Sequence, residues 1–196
     1  MQLSDDQRAE VDKYAKVYKI PNYRMGDARF LCASDNLASV DHRGGYLDVG
    51  CGRGEMLQVA RALGYQDVQG AEVVDYLVAA HDNVRQAPAW DLPFDDNAFD
   101  VVSLFDVIEH LRPEDAEPTC RELARVARKT VFITAANYSS KSLGEELHVN
   151  RQSYDAWDTF FRAQFVGAKV TWLARSRGIN SETWRITLDG GAVDLS

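Results

Sequence analysis

The sequence predicts an α/β protein organised as an open, doubly wound sheet with helices on both faces. Two observations carry this reading. From residue 46 onward, short apolar runs alternate with amphipathic stretches, the pattern of parallel strands covered by helices. The run Tyr46-Leu47-Asp48-Val49-Gly50-Cys51-Gly52-Arg53-Gly54-Glu55-Met56-Leu57 reads as a buried strand passing through a glycine turn into a helix, which lets backbone come close to a bound small molecule. At 196 residues the chain is long enough for one domain with a sizeable core and too short for two ordinary ones.

Taken in order, residues 1–20 place apolar side chains at Val11, Tyr14, Ala15, Val17 and Tyr18 in a helical recurrence, with Ser4, Asp5 and Asp6 suited to its first turn. Pro21 ends it, and 22–29 is a loop. Phe30, Leu31, Leu37 and Val40 predict a second helix stopping at Gly44-Gly45. Strands are expected at 46–49, 68–73, 86–89, 100–104 and 130–134, and helices at 54–63, 75–84, 114–127 and 151–163. Ala168 to Ala174 and Thr183 to Leu188, rich in β-branched and aromatic residues around Arg175 to Ser181, predict a terminal hairpin.

Bulk properties exclude several classes. Hydrophobic residues make up 45% and charged residues 27%, the balance of a soluble globular protein. No apolar run approaches the ~20 residues of a membrane span, and the polar, acidic start is unlike a signal peptide, so a cytoplasmic location is expected. Cys32, Cys51 and Cys120 are odd in number and widely spaced, which suits a reducing compartment and matches no zinc pattern. Cys51 reads as a small residue that fits a crowded backbone, not as a reactive thiol. A formal net charge of −8 repels a phosphate backbone, and the helical cluster Arg121, Arg125, Arg128 and Lys129 reads as a solvated face.

Gly50, Gly52 and Gly54 form G-x-G-x-G. The dinucleotide fingerprint needs a third glycine three residues after the second, and Glu55 stands there, so a pyrophosphate cradle is disfavoured. With Asp48 two residues before the first glycine, the stretch resembles the first motif of the class I S-adenosylmethionine-dependent methyltransferases. That resemblance covers most of residues 46–190 and implies a Rossmann-like sheet of seven strands, mostly parallel, closed by a C-terminal antiparallel hairpin. It further implies one domain over 1–196, with 1–44 a helical lid or cap and 45–190 the catalytic core. Tyr14, Tyr18, Tyr23 and Arg24 are the lid candidates.

The resemblance also carries a cofactor site onto this chain. Asp48 would serve the methionine end of S-adenosylmethionine beside the turn residues Gly50, Cys51, Gly52 and Gly54. Glu72, ending the second strand about 20 residues past the turn, matches the acid that holds the ribose diol, with Val73 next to it. In Ala89-Trp90-Asp91-Leu92-Pro93-Phe94-Asp95-Asp96-Asn97-Ala98-Phe99-Asp100, the residues Trp90, Asp91 and Leu92 would border the adenine. The acid often found three residues before Asp91 is Pro88 here. Phe105 would complete the site from the end of the fourth strand.

Beyond that strand, Asp106, Glu109 and His110 resemble the acid-x-x-Glu-His of two metal-assisted groups, ubiquinone-pathway O-methyltransferases and small-RNA 2′-O-methyltransferases. The second group adds a later histidine, for which His148 stands in about the right region. No resident metal is assigned; Asp106, Glu109, His110 and His148 are the residues that would hold a magnesium ion. The base-holding Asn-Pro-Pro-Tyr run of exocyclic-amine methyltransferases is absent, which argues against base methylation. Residues 136–162 also resemble small O-methyltransferases of sugars and other metabolites, through Asn137, His148 and the aromatic helix positions Tyr154, Trp157, Phe160 and Phe161. Trp157 and Phe161, four apart, read as core. Ser139 to Gly144 reads as a polar gate. An oxygen acceptor needs a base, for which His148 stands first, His110 second and Asp106 third.

The expected function is therefore O-methylation of a small metabolite, sugar or nucleotide derivative, by a monomer or homodimer without nucleic-acid or membrane partners. The alternatives are a metal-assisted 2′-O-methyltransferase of a nucleic-acid end and an inactive cofactor-binding partner protein.

Overall fold

The computed structural model describes residues 3–21, 23–173 and 180–188. Its centre is a seven-stranded sheet made of β1 (Gly45–Val49), β2 (Asp67–Glu72), β3 (Val84–Gln86), β4 (Phe99–Leu104), β5 (Ala127–Ala136), β8 (Lys169–Leu173) and β9 (Ser181–Thr187). A two-stranded ribbon of β6 (Lys141–Ser142) and β7 (Glu145–Glu146) stands apart from it. The helices are α1 (Asp5–Val17), α2 (Asp27–Ala38), α3 (Glu55–Ala62), α4 (Asp75–Val78), α5 (Pro113–Val126) and α6 (Tyr154–Gln164), with a 3-10 turn at Ile108–His110.

Strand order is β3-β2-β1-β4-β5-β9-β8, parallel from β3 through β5 and antiparallel for β9 against both neighbours. This is the expected seven-stranded sheet with its closing hairpin. Because the chain winds outward first to one side of β1 and then, through β4, to the other, a crevice opens at the C-terminal ends of β1 and β4. Period-two alternation sorts each strand between two cores. Leu47 and Val102 pack with Leu123, Trp157, Phe161 and Trp184 on one face, while Tyr46 and Val101 pack with Leu37, Met56, Leu57 and Phe132 on the other. Trp157 and Phe161 stack with ring centroids 5.4 Å apart in the first of these cores.

The ends of several elements differ from expectation. The helix predicted over 75–84 is a single turn, because Asn83 caps the Val68 carbonyl (2.6 Å) and gives its own carbonyl to the Gly70 amide, turning the chain into β3 early. The strand predicted at 86–89 therefore runs at 84–86. Helix α2 begins at Asp27 within the predicted loop, so Arg29 is helical. The predicted gate at 139–144 contains β6 and the turn into β7, whose Glu146 carboxylate accepts from the amides of Ser140 (2.8 Å) and His148 (3.0 Å). Asn22, Ala174 and the hairpin turn around Arg175 lie outside the described residues. Among the described residues, no helix is long and apolar enough to cross a membrane.

The basic cluster on and after α5 is paired with acids. Arg121 bonds Glu117, Arg125 bonds Glu122 and Asp96, and both Arg128 and Lys129 bond Asp100. Arg125 also donates to the carbonyls of Leu92 (2.9 Å) and Phe94 (2.7 Å), which latches the Leu92-Pro93-Phe94 loop to the helix.

Candidate active site

The glycine turn leaves β1 with Gly50 at φ +73° and Gly52 at φ +54°, in the left-handed region that glycine enters without penalty. Close packing adds a second requirement. A Cβ at Gly50 would come within 2.5 Å of a Val107 methyl, and one at Gly52 within 2.7 Å of the Tyr18 hydroxyl. Gly54, also left-handed, caps α3. The Cys51 side chain is packed against Gly70, and burial pushes its thiol well up, so it is an inert filler.

Pairing of β1 with β4 places Asp48 opposite Ser103. The Tyr46 hydroxyl lies 2.6 Å from Ser103 Oγ, which donates to Asp48 Oδ1 at 2.6 Å. Burial outweighs these hydrogen bonds and raises Asp48 to about 7. One strand over, Glu72 is 4% exposed; its Oε2 accepts from the Gly52 amide (2.9 Å) and its Oε1 from the amides of Val73 (2.8 Å) and Val74 (3.0 Å). Its carboxyl is also raised by burial, against the pull of those amides. Among the described residues neither acid has an ion-pair partner. Two desolvated carboxylates along one crevice favour a ligand carrying positive charge.

They line a cavity of ≈ 280 Å³, which Gly50, Cys51, Gly52, Val73, Trp90 and Phe105 also line. Three residues expected there do not. Gly54 sits behind the turn, Asp91 is exposed at the surface, and Leu92 is buried in the core with its amide bonded to Glu122 (2.7 Å). Ala87 and Ala89, which nothing in the sequence singled out, line the cavity beside Trp90. From the N-terminal segment, Tyr14, Tyr18, Tyr23 and Arg24 all line it. Arg53 fastens that segment by donating to the carbonyls of Tyr18 (2.5 Å) and Tyr23 (3.4 Å).

The opposite end of the same cavity holds Asp106, His110, Tyr138 and His148. Asp106 follows β4 with φ +56°, unusual for a non-glycine, and its amide donates to Thr134 Oγ1 at 2.7 Å. Arg29 Nη1 pairs with Asp106 Oδ2 at 2.8 Å and donates to the Tyr138 hydroxyl at 2.9 Å, while Asp106 Oδ1 is buried without a hydrogen-bond partner among the described residues. Arg29 was not legible as a site residue because its helix was expected to start later. Asn137 is exposed and outside the cavity lining.

His148 is buried, and its Nδ1 lies 2.7 Å from the Tyr138 carbonyl. A carbonyl can only accept, so Nδ1 carries the proton and Nε2 keeps its lone pair. Burial lowers the basicity of His148, and it lowers His110 to about 3 with the neighbouring His148 adding to the effect. The two rings meet edge to face with centroids 4.6 Å apart. Glu109 is fully buried with no ion-pair partner among the described residues, and desolvation together with Asp106 raises it well above the usual range, against the pull of backbone hydrogen bonds at Glu109 and Ala136.

Three of the four residues named for an ion converge. One oxygen of Glu109 and one ring nitrogen each of His110 and His148 lie within 4.8 Å of one another. Asp106 stands outside that group, held by Arg29. Two imidazoles and a carboxylate suit an ion of zinc or iron type better than magnesium, which prefers oxygen ligands.

Residues 47–134 match a family described as a methyltransferase domain. No curated relative matches the chain in sequence. Among solved structures, a protein of Pyrococcus horikoshii is similar at TM-score 0.70 and 16% identity, covering 89% of this chain and 98% of its own. The 1,6-didemethyltoxoflavin-N1-methyltransferase of Burkholderia thailandensis, with bound 1,6-didemethyltoxoflavin and S-adenosylhomocysteine, gives 0.72 and 14%, covering 95% and 91%. A SAM-dependent methyltransferase of Archaeoglobus fulgidus gives 0.62 and 16%, covering 82% and 94%.

Proposed function

We propose that the chain, whose residues 47–134 match a methyltransferase domain, is an S-adenosylmethionine-dependent methyltransferase that methylates a hydroxyl oxygen of a small metabolite. The supporting observation is the shared cavity, with Asp48 and Glu72 at one end and Asp106, His110 and His148 at the other. Asp48 would hold the ammonium of the cofactor and Glu72 its ribose diol. Trp90 supplies an aromatic wall for the adenine.

When bound, S-adenosylmethionine would supply an electrophilic methyl group for in-line transfer to the acceptor oxygen, with S-adenosylhomocysteine as the leaving group. The acceptor's proton passes to Nε2 of His148. That nitrogen is the free one, because Nδ1–H is committed to the Tyr138 carbonyl. A cap of tyrosines over the cavity excludes water from the charged centre, and the protein's further contribution is alignment. Arg29 and Asp106 flank the acceptor.

A second reading has one observation in its favour, the convergence of Glu109, His110 and His148. A divalent ion held there would lower the pKa of a bound hydroxyl.

The test combines calorimetric titration with S-adenosylhomocysteine and turnover on a panel of hydroxyl and amine acceptors. His148→Ala is expected to change cofactor affinity by less than about twofold and to slow turnover by roughly 10²–10⁴-fold, the range of a lost general base. Unchanged turnover would remove His148 from its role. Turnover indifferent to EDTA would remove the metal reading.

A further inference from the structure

Helix α1 reaches the histidine pair through two consecutive side chains. The buried Lys13 ammonium donates to the Glu146 carbonyl at 3.1 Å, and the Tyr14 hydroxyl donates to the Leu147 carbonyl at 3.1 Å. Those two carbonyls immediately precede His148 in the chain. The same Tyr14 oxygen closes on Nδ1 of His110, a residue 96 positions away, and the Leu147 carbonyl lies 3.0 Å from that nitrogen.

Only one arrangement of protons satisfies all three groups. Leu147 can only accept, so Nδ1 of His110 carries a proton shared between the Leu147 and Tyr14 oxygens, while the phenol proton points to Leu147. Nε2 of His110 is then the unprotonated nitrogen, as it is in His148. The contact is also steric, since the Tyr14 ring meets the His110 ring edge to face with centroids 5.2 Å apart, and His110 meets His148 in turn. Burial keeps the phenol neutral.

We infer that Tyr14 is the positioning residue of the histidine pair: its hydroxyl fixes the tautomer and tilt of His110 and, through Leu147, the placement of His148. This rests on the reading in which those histidines handle the acceptor's proton. The catalytic end of the cavity is thereby completed from the N-terminal segment, outside the matched domain.

Tyr14→Phe removes the hydroxyl and keeps the ring. Nitrogen-15 NMR of the imidazoles needs no acceptor: wild-type His110 is expected as a single Nδ1–H tautomer, and Tyr14→Phe is expected to shift its resonances and mix the tautomers. Gln7→Ala, which loosens the same helix by removing its tie to Asp115 (2.8 Å) without touching His110, should leave them in place. On a working acceptor, Tyr14→Phe should lower kcat about tenfold with cofactor affinity within twofold, and should add less than twofold in a His110→Ala background, because residues acting through one another are not additive.

A wild-type-like His110 spectrum in Tyr14→Phe would overturn the inference. So would an equal shift from Gln7→Ala, or additive rate effects in the double variant. Wild-type protein that fails to bind S-adenosylhomocysteine would strike at the methyl-transfer reading instead, and the NMR comparison would still decide the role of Tyr14.

Discussion

Asp48 and Glu72 end adjacent strands as desolvated acids, and this charge pattern makes a direct prediction. With Asp48 raised to about 7 from an ordinary 3.8, the unfolded chain ionises first, so the side chain costs the fold nothing below pH 4. Its penalty grows as pH rises and is complete above pH 7, on the order of 4 kcal/mol at ~1.4 kcal/mol per pH unit. A cofactor ammonium beside it would favour the ionised form. Binding below pH 7 should therefore release a proton, and S-adenosylhomocysteine affinity should rise by up to tenfold per unit between pH 5.5 and 7. Titration in buffers of different ionisation heat measures the release, and Asp48→Asn should flatten the dependence. A pH-independent affinity in the unaltered protein would refute the contact. Both acids were legible in the sequence because a strand end before or after a glycine turn is a local pattern. Arg29 was not, because its role depends on where a helix begins and on a partner far along the chain.

At the scale of elements, the glycine turn and the N-terminal helix are built against each other. Gly52 has left-handed backbone and touches Tyr18, whereas Gly64, at φ +88°, has none of the described residues within 4 Å of where a Cβ would stand. The pair separates backbone strain from packing. Gly64→Ala should cost about 1 kcal/mol in a thermal melt and leave cofactor affinity unchanged. Gly52→Ala should carry the same strain and in addition displace Tyr18, weakening S-adenosylhomocysteine by about tenfold or more in a calorimetric titration. Equal behaviour of the two variants would show that Tyr18 gives way freely. Helix α1 itself is well specified locally: Ser4 and Gln7 form a reciprocal capping box at its start. Its docking is not local. The contacts of Lys13 and Tyr14 with Glu146, Leu147 and His110 join three segments that no periodicity connects. The short α4 and the early start of α2 were missed for a related reason, since single caps and turn side chains outvote a periodic pattern at element ends.

Across the whole molecule, two cores hold the sheet and fix the crevice between them. Trp157 is fully buried and stacked on Phe161, so Trp157→Ala should destabilise by about 3–5 kcal/mol by chemical denaturation. Cofactor binding by the folded fraction should survive, because α6 lies away from the cavity lining. The sequence by itself determined the layered architecture, the order of strands and helices, and the turn with its two acids, because burial on a strand or helix repeats at a short period and glycine turns are written in consecutive residues. It also named Asp106, His110 and His148. Only the tertiary structure decided that Asp106 is taken by Arg29, that Glu109 is the carboxylate beside the two imidazoles, that Asp91 and Leu92 face away, and that Tyr14 closes on His110. Each of these depends on which side chains meet across large separations in the chain. Such meetings are set by how packed layers dock, which local composition does not encode.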